Sequence, residues 1–203
     1  MSTVAVRPKA GASLTLARAF QNDPMMRFLL PDDVERARTL PWFLGTVVRY
    51  CRAFGEVHVS AEGDAVACWL TPGNTTVTPR RIFRSGGALT PVKLGLGGFG
   101  RLMALQAYLA EEHAKNMPEP HFYLYLLGVD PLSRGQDLGR LLLAPTLGRA
   151  AHEGRACYLE TQNEKNVAVY RSVGFEVTSV GQVAGSTLTV WTMRRDPKSR
   201  RPV

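Results

Sequence analysis

The chain has 203 residues, 45% hydrophobic and 21% charged, enough for one large or two small domains with a buried core. No apolar run approaches the ~20 residues that cross a bilayer, and no N-terminal segment joins a basic end to an apolar stretch, so a cytoplasmic protein with no membrane partner is expected. The formal charge of +8 invites a nucleic-acid partner, yet residues 194–203 (RRDPKSRRPV) hold five basic side chains and one acidic, half of that excess, so none is expected.

Residues 2–8 have weak strand character. Ala12 to Phe20 puts Leu16, Ala19 and Phe20 at helical spacing and reads as a first amphipathic helix, ended by Asn22-Asp23-Pro24. Pro31-Asp32-Asp33 starts a second helix, with acidic residues at the positive end of its dipole. It runs to about Phe54 with Leu40, Phe43, Leu44, Val47 and Val48 inward, and Pro41 is expected to kink or divide it. Glu56 to Ser60 and Ala65 to Leu70 are strands about a Glu62-Gly63-Asp64 turn, hence a hairpin. Pro79 to Leu89 suggests one short helix. The run from Gly95 to Gly100 follows no strand and lacks the Lys-Ser/Thr of a phosphate loop. It reads as a flexible lead into a helix from Arg101 to Lys115. Cys51, Cys68 and Cys157 are odd in number and widely separated, so they suggest buried packing residues in a reducing compartment. Neither a disulfide frame nor a metal site is expected.

The stretch from His121 to Leu143 (HFYLYLLGVDPLSRGQDLGRLLL) organises the rest. An apolar, aromatic run ending at Gly128-Val129 is a buried strand, and Asp130-Pro131 stops it. A polar loop, Ser133 to Asp137, then leads into a helix from Leu138. Strand, glycine-bearing loop and helix together aim free backbone amides and a positive dipole end at one spot, which suits a phosphate. The loop has neither a Walker sequence nor the dinucleotide Gly-x-Gly-x-x-Gly. From this segment alone, an ordinary turn into a helix stays open.

That helix ends at Gly154, with Pro145 expected to bend or interrupt it. Arg155 to Thr161 is a strand, residues 162–166 a loop, and Val167 to Val173 a short helix capped by Gly174. Phe175 to Val180 and Thr187 to Arg194 are the closing strands.

Arg134-x-x-Asp137-x-Gly139 resembles the pyrophosphate loop of the GCN5-related N-acetyltransferases (GNAT), (Arg/Gln)-x-x-Gly-x-(Gly/Ala). Asp137 stands where that family prefers glycine. About thirty residues on, Asn163-x₆-Tyr170-x₃-Gly174-Phe175 is similar to the family's second block. Ala67 to Gly73, Leu159-Glu160-Thr161 and Trp191-Thr192-Met193 are similar to its puromycin N-acetyltransferase branch.

The resemblance implies one mixed α/β domain over residues 1–195, with about seven strands and helices on both faces of the sheet. Residues 196–203 are left as a basic, disordered tail. It implies acetyl-CoA as co-substrate, held by the backbone of Leu127, Gly128 and Val129, by amides of Arg134, Gly135, Gln136, Asp137, Leu138, Gly139 and Arg140, and by Asn163. An amide near Gly128 would meet the oxyanion. Tyr170 matches the family's general acid. Glu160 is the first choice of base, with a pairing to arginine as the alternative, and His121 is the second. His58, His113 and His152 have no constellation around them. The activity implied is acetylation of a primary amine, most simply on a small molecule. The alternative is a CoA-binding or ligand-sensing module with little catalysis, and a homodimer stays open.

Overall fold

The structure is a computed structural model, described over residues 11–197. The weak strand expected at 2–8 and residues 198–203 of the tail lie outside the described residues. Six strands form one mixed sheet, near the seven expected: β1 (Gly55–Val59), β2 (Ala65–Leu70), β3 (Phe122–Val129), β4 (Cys157–Thr161), β5 (Glu176–Gln182) and β6 (Thr189–Arg195). Their order is β1-β2-β3-β4-β6-β5, with β3 and β4 parallel and the other neighbours antiparallel.

Helices cover both faces, which is why all six residues of β2 are buried and why its sequence is an unbroken apolar run. On one face, α1 (Ala12–Phe20), α2 (Pro24–Leu29), α3 (Asp33–Phe54) and α5 (Thr90–Asn116) pack on Val66, Cys68, Leu70, Tyr123, Leu126 and Tyr158. On the other, α6 (Leu138–His152) and α7 (Glu164–Ser172) pack on Ala67, Trp69, Phe122, Leu124 and Leu159. The alternation along β2 is strict, but β3 breaks it. Cys68 faces Leu126 and Trp69 faces Leu124, so Tyr125 is an extra residue and a β-bulge. The bulge keeps Tyr123, Tyr125 and Leu126 on the same face.

Several expectations need correction. α3 runs unbroken through Pro41, and α6 through Pro145. Each proline removes one helical hydrogen bond without dividing the helix, since Leu40 and Leu44, and Leu143 and Leu147, are fully buried on either side of it. Asp23, read only as a breaker, also caps α2 by accepting the Met25 N–H at 2.9 Å. The helix from Pro79 stops at Arg84 as α4, and a single 3₁₀ turn follows at Gly87–Leu89. The glycine run is largely helical: α5 begins at Thr90 and is broken only at Gly95, whose φ of 64° and ψ of 170° interrupt it. α7 starts a turn earlier than expected, where Asn163 caps it through Lys165 N–H at 3.2 Å.

α1 crosses β3 at Gly128, where a Cβ would lie 2.8 Å from Leu16 Cδ2 and 3.1 Å from Ala19 Cβ and Phe20 Cε2. Leu16 is fully buried and has nowhere to go. Gly128→Val is therefore expected to destabilise the protein by about 1–3 kcal/mol through overpacking, read as a lower urea midpoint. An unchanged midpoint would mean that α1 shifts freely on the sheet.

Candidate active site

β3 and β4 pair only over Phe122↔Cys157, Tyr123↔Tyr158 and Leu124↔Leu159. Beyond that register β3 continues to Val129 while β4 ends at Thr161, so the two strands part and open a wedge. Leu127, Gly128 and Val129 lie on the β3 side of it, beyond the last pair.

The loop at the wide end is fixed from behind. The Asp130 carboxylate accepts Arg18 Nε at 2.7 Å and Leu132 N–H at 3.1 Å, and its own N–H donates to Asp64 O at 2.7 Å. Among the described residues, the seven consecutive amides of residues 134–140 have no backbone or side-chain acceptor, whereas the next one, Leu141 N–H, bonds to Asp137 O. Gly135 (φ 82°) and Asp137 (φ 58°) turn the chain so that such amides form a concave nest at the start of α6. At Gly139 α6 lies close to β3, where a Cβ would make ordinary contact with Leu127 and Val129 at 3.5 and 3.8 Å. Unpaired amides at a helix start fit a pyrophosphate.

Asp137 is the sole described non-glycine residue with positive φ. It makes no side-chain cap bond. Its carboxylate is 66% exposed and lies 3.7 Å from Arg140 Nη1. Arg134 reaches back to Ala19 O at 3.5 Å. Asp137→Gly removes a like charge and gives the loop a residue at ease with this φ. It is expected to tighten acetyl-CoA binding about tenfold, or ~1.4 kcal/mol, by calorimetric titration. High salt should narrow the gap. Weaker binding would show that the aspartate holds the loop's shape.

The wedge's narrow end opens into a cleft that Asp23, Tyr123, Tyr125, Glu160 and Tyr170 all line. Glu160 Oε2 accepts the Tyr123 hydroxyl at 2.5 Å. Its Oε1 is buried beside the Tyr158 hydroxyl, which helps to stabilise the carboxylate although the two make no hydrogen bond of normal geometry. Burial outweighs the two tyrosines' help and pushes the Glu160 pKa up to about 7. Among the described residues no arginine pairs with it. Tyr170 is buried against Phe175 and its phenol titrates well above the usual range, first through burial and then through the charge of Asp23.

His121 is buried, not a surface residue, and His113 has a constellation after all. The rings meet Nε2 to Nε2 at 2.7 Å, and His121 Nδ1 lies 2.7 Å from Glu119 O. Nδ1 of His121 must therefore donate, which makes its Nε2 the acceptor and His113 Nε2 the donor. His113 stacks on Tyr158, and burial followed by the His121 charge lowers its pKa to about 4. Neither histidine lines the cleft. His58 lies 3.2 Å from both Glu56 Oε2 and Thr146 Oγ1, away from it.

Among the sequence-derived positions, Leu127, Glu160 and Tyr170 meet in the cleft, with the loop of residues 134–140 at the other end of the wedge. Asn163 caps α7 instead of facing the cleft, where Gln162 and Asn166 stand. Sequence reasoning missed Asp23, Tyr123 and Tyr158. Their only signal was a helix breaker and two aromatic residues in strands, which looked like core.

Two parallel strands that part beside an amide nest define an acyl-CoA N-acyltransferase fold. A family model described as the acetyltransferase (GNAT) family matches residues 81–175. An uncharacterized N-acetyltransferase of Schizosaccharomyces pombe is 27% identical over 172 residues, covering 81% of this chain and 69% of that protein. The N-alpha-acetyltransferase RimI of Mycobacterium tuberculosis is 35% identical over 119 residues, 56% of this chain and 63% of that one. A crystal structure described as histone acetyltransferase HPA2 and related acetyltransferase, from Corynebacterium glutamicum, shares the fold over 97% of both chains, with a TM-score of 0.58 and 23% identity. The family model spans a little under half of this chain, and the likeness to the Corynebacterium glutamicum structure over its whole length shows that the chain has the GNAT fold.

Proposed function

We propose that this protein transfers the acetyl group of acetyl-CoA to the primary amine of a small molecule, with Glu160 as general base and Tyr170 as general acid. One observation carries the reading: the Glu160 carboxylate, with no lysine or arginine among the described residues that line the cleft, shares that cleft with the Tyr170 phenol. Acetyl-CoA supplies the activated acetyl group. The backbone of Leu127, Gly128 and Val129 lines its arm, and the amides of Arg134 to Arg140 take its pyrophosphate. An amine must lose a proton to attack, and a carboxylate near pKa 7 accepts one at neutral pH. A departing thiolate must gain a proton, and a phenol held well above its usual pKa keeps one to give. The likeness of Ala67 to Gly73 to the puromycin N-acetyltransferase branch supports a small acceptor. Three free, buried cysteines suit the cytoplasm.

The test is release of CoA thiol by purified protein given acetyl-CoA and a panel of primary amines. Release that depends on the amine is expected. Binding of acetyl-CoA without any release would favour a ligand-sensing role instead.

A further inference from the structure

In a protein of formal charge +8, the cleft is acidic. The charged side chains lining it are Asp23 and Glu160, with no lysine or arginine among the described lining residues, and the remaining wall is largely apolar. Asp23 comes from the turn between α1 and α2, Glu160 from the end of β4. As the cap of α2, Asp23 uses Oδ1 to accept Met25 N–H, a task that a neutral asparagine does equally well. Capping does not explain the charge. Burial raises its pKa to about 6, so a cost is borne for keeping a carboxylate there. Its charge reaches the reaction end of the cleft, since it is felt at Tyr170. Glu160 lines the same space.

We infer that the acceptor is a compact apolar monoamine, whose ammonium is received between Asp23 and Glu160 while its apolar group packs on Phe20, Met25, Phe43 and Leu109. This rests on the acetyltransferase reading above. An ammonium compensates both carboxylates at once, and cation–π attraction to the neighbouring rings adds to it. Glu160 Oε1 then takes the proton when the N–H bond breaks, and Asp23 stays ionised. A carboxylate beside the amine, as in an amino acid, would meet two like charges and no cation. A second ammonium, as in a diamine, would sit in the apolar wall without a partner.

The experiment compares 2-phenylethylamine, propylamine, phenylalanine and 1,4-diaminobutane as acceptors for the wild type, Asp23→Asn and Phe43→Ala, with acetyl-CoA affinity measured alongside by calorimetry. At least 100-fold preference in kcat/KM for phenylethylamine over the other two is expected. Asp23→Asn keeps the cap, and should raise KM for phenylethylamine at least tenfold with little change in kcat or in acetyl-CoA affinity. Phe43→Ala should weaken phenylethylamine more than propylamine. Equal or better use of phenylalanine or the diamine, or an unchanged KM in Asp23→Asn, overturns this inference and leaves the acetyltransferase standing. Intact acetyl-CoA binding with transfer to no amine at all overturns both.

Discussion

Glu160→Gln is expected to lower kcat/KM by about 10²–10⁴ while acetyl-CoA binds as before. The amide can still accept the Tyr123 hydroxyl on one side, so the wedge keeps its shape, but the side chain no longer takes a proton. The wild-type rate should rise with pH and level off above about 7, where the carboxylate is ionised. In Glu160→Gln that rise should vanish. Stability should run the other way. A folded-state pKa raised from 4.5 to about 7 means that the folded protein holds this proton more tightly than the unfolded chain. Its contribution is fully present below 4.5 and lost as pH rises to 7, by roughly 3 kcal/mol. Glu160→Gln should flatten that slope in a series of urea titrations. An unaltered rate and an unaltered pH profile would dismiss Glu160 as the base.

These effects depend on features that the sequence conveyed unevenly. β3 and β4 were legible as strands because both are short apolar runs bounded by strong punctuation, Asp130-Pro131 after one and Asn163 after the other, but their parting is not written in composition or periodicity. The amide nest was legible as a glycine-bearing loop between strand and helix. The bulge at Tyr125 was not, because an extra residue in an apolar run leaves no mark on its composition. Nor was the His113–His121 contact, which joins the end of α5 to the start of β3 through a turn whose path local preference does not dictate. Gly95 to Gly100 misled for a related reason. Glycine is a poor helix former in isolation, but Leu94, Leu102 and Leu105 are buried on one side of α5 and tertiary packing overrides the propensity. A Cβ at Gly98 would lie 3.0 Å from Leu29 O, so that glycine serves the contact of α5 with α2.

The polar layout of the cleft was the least legible part. Asp23, Glu160 and Tyr170 are far apart in the chain, on a turn, a strand and a helix, and what makes them a set is the common space they line. Sequence could assign Tyr170 and Glu160 only through family resemblance. It had no means of showing that the carboxylate would be held by tyrosine hydroxyls instead of a cation, because that depends on Tyr123 and Tyr158 standing on neighbouring strands beside it.

Tyr170→Phe is expected to lower kcat about 10²-fold and to leave both acetyl-CoA affinity and melting temperature nearly unchanged. The hydroxyl makes no hydrogen bond among the described residues, so its removal strands no partner. The ring keeps its contact with Phe175, at 6.1 Å between centroids. The phenol's charged form is disfavoured by burial first and by Asp23 second, which holds its pKa above the usual 10. The proton is thus present throughout neutral pH, and the wild type should show no alkaline loss from this group up to about pH 9. The variant should therefore be slower by the same factor across that range, with the Glu160 rise near 7 preserved. That parallel displacement separates loss of an acid from a disturbed base. A rate deficit that appears only below pH 7 would point to an altered Glu160 instead. Full turnover in Tyr170→Phe with the same amine would remove the phenol from the chemistry and leave Tyr170 as a packing residue of α7.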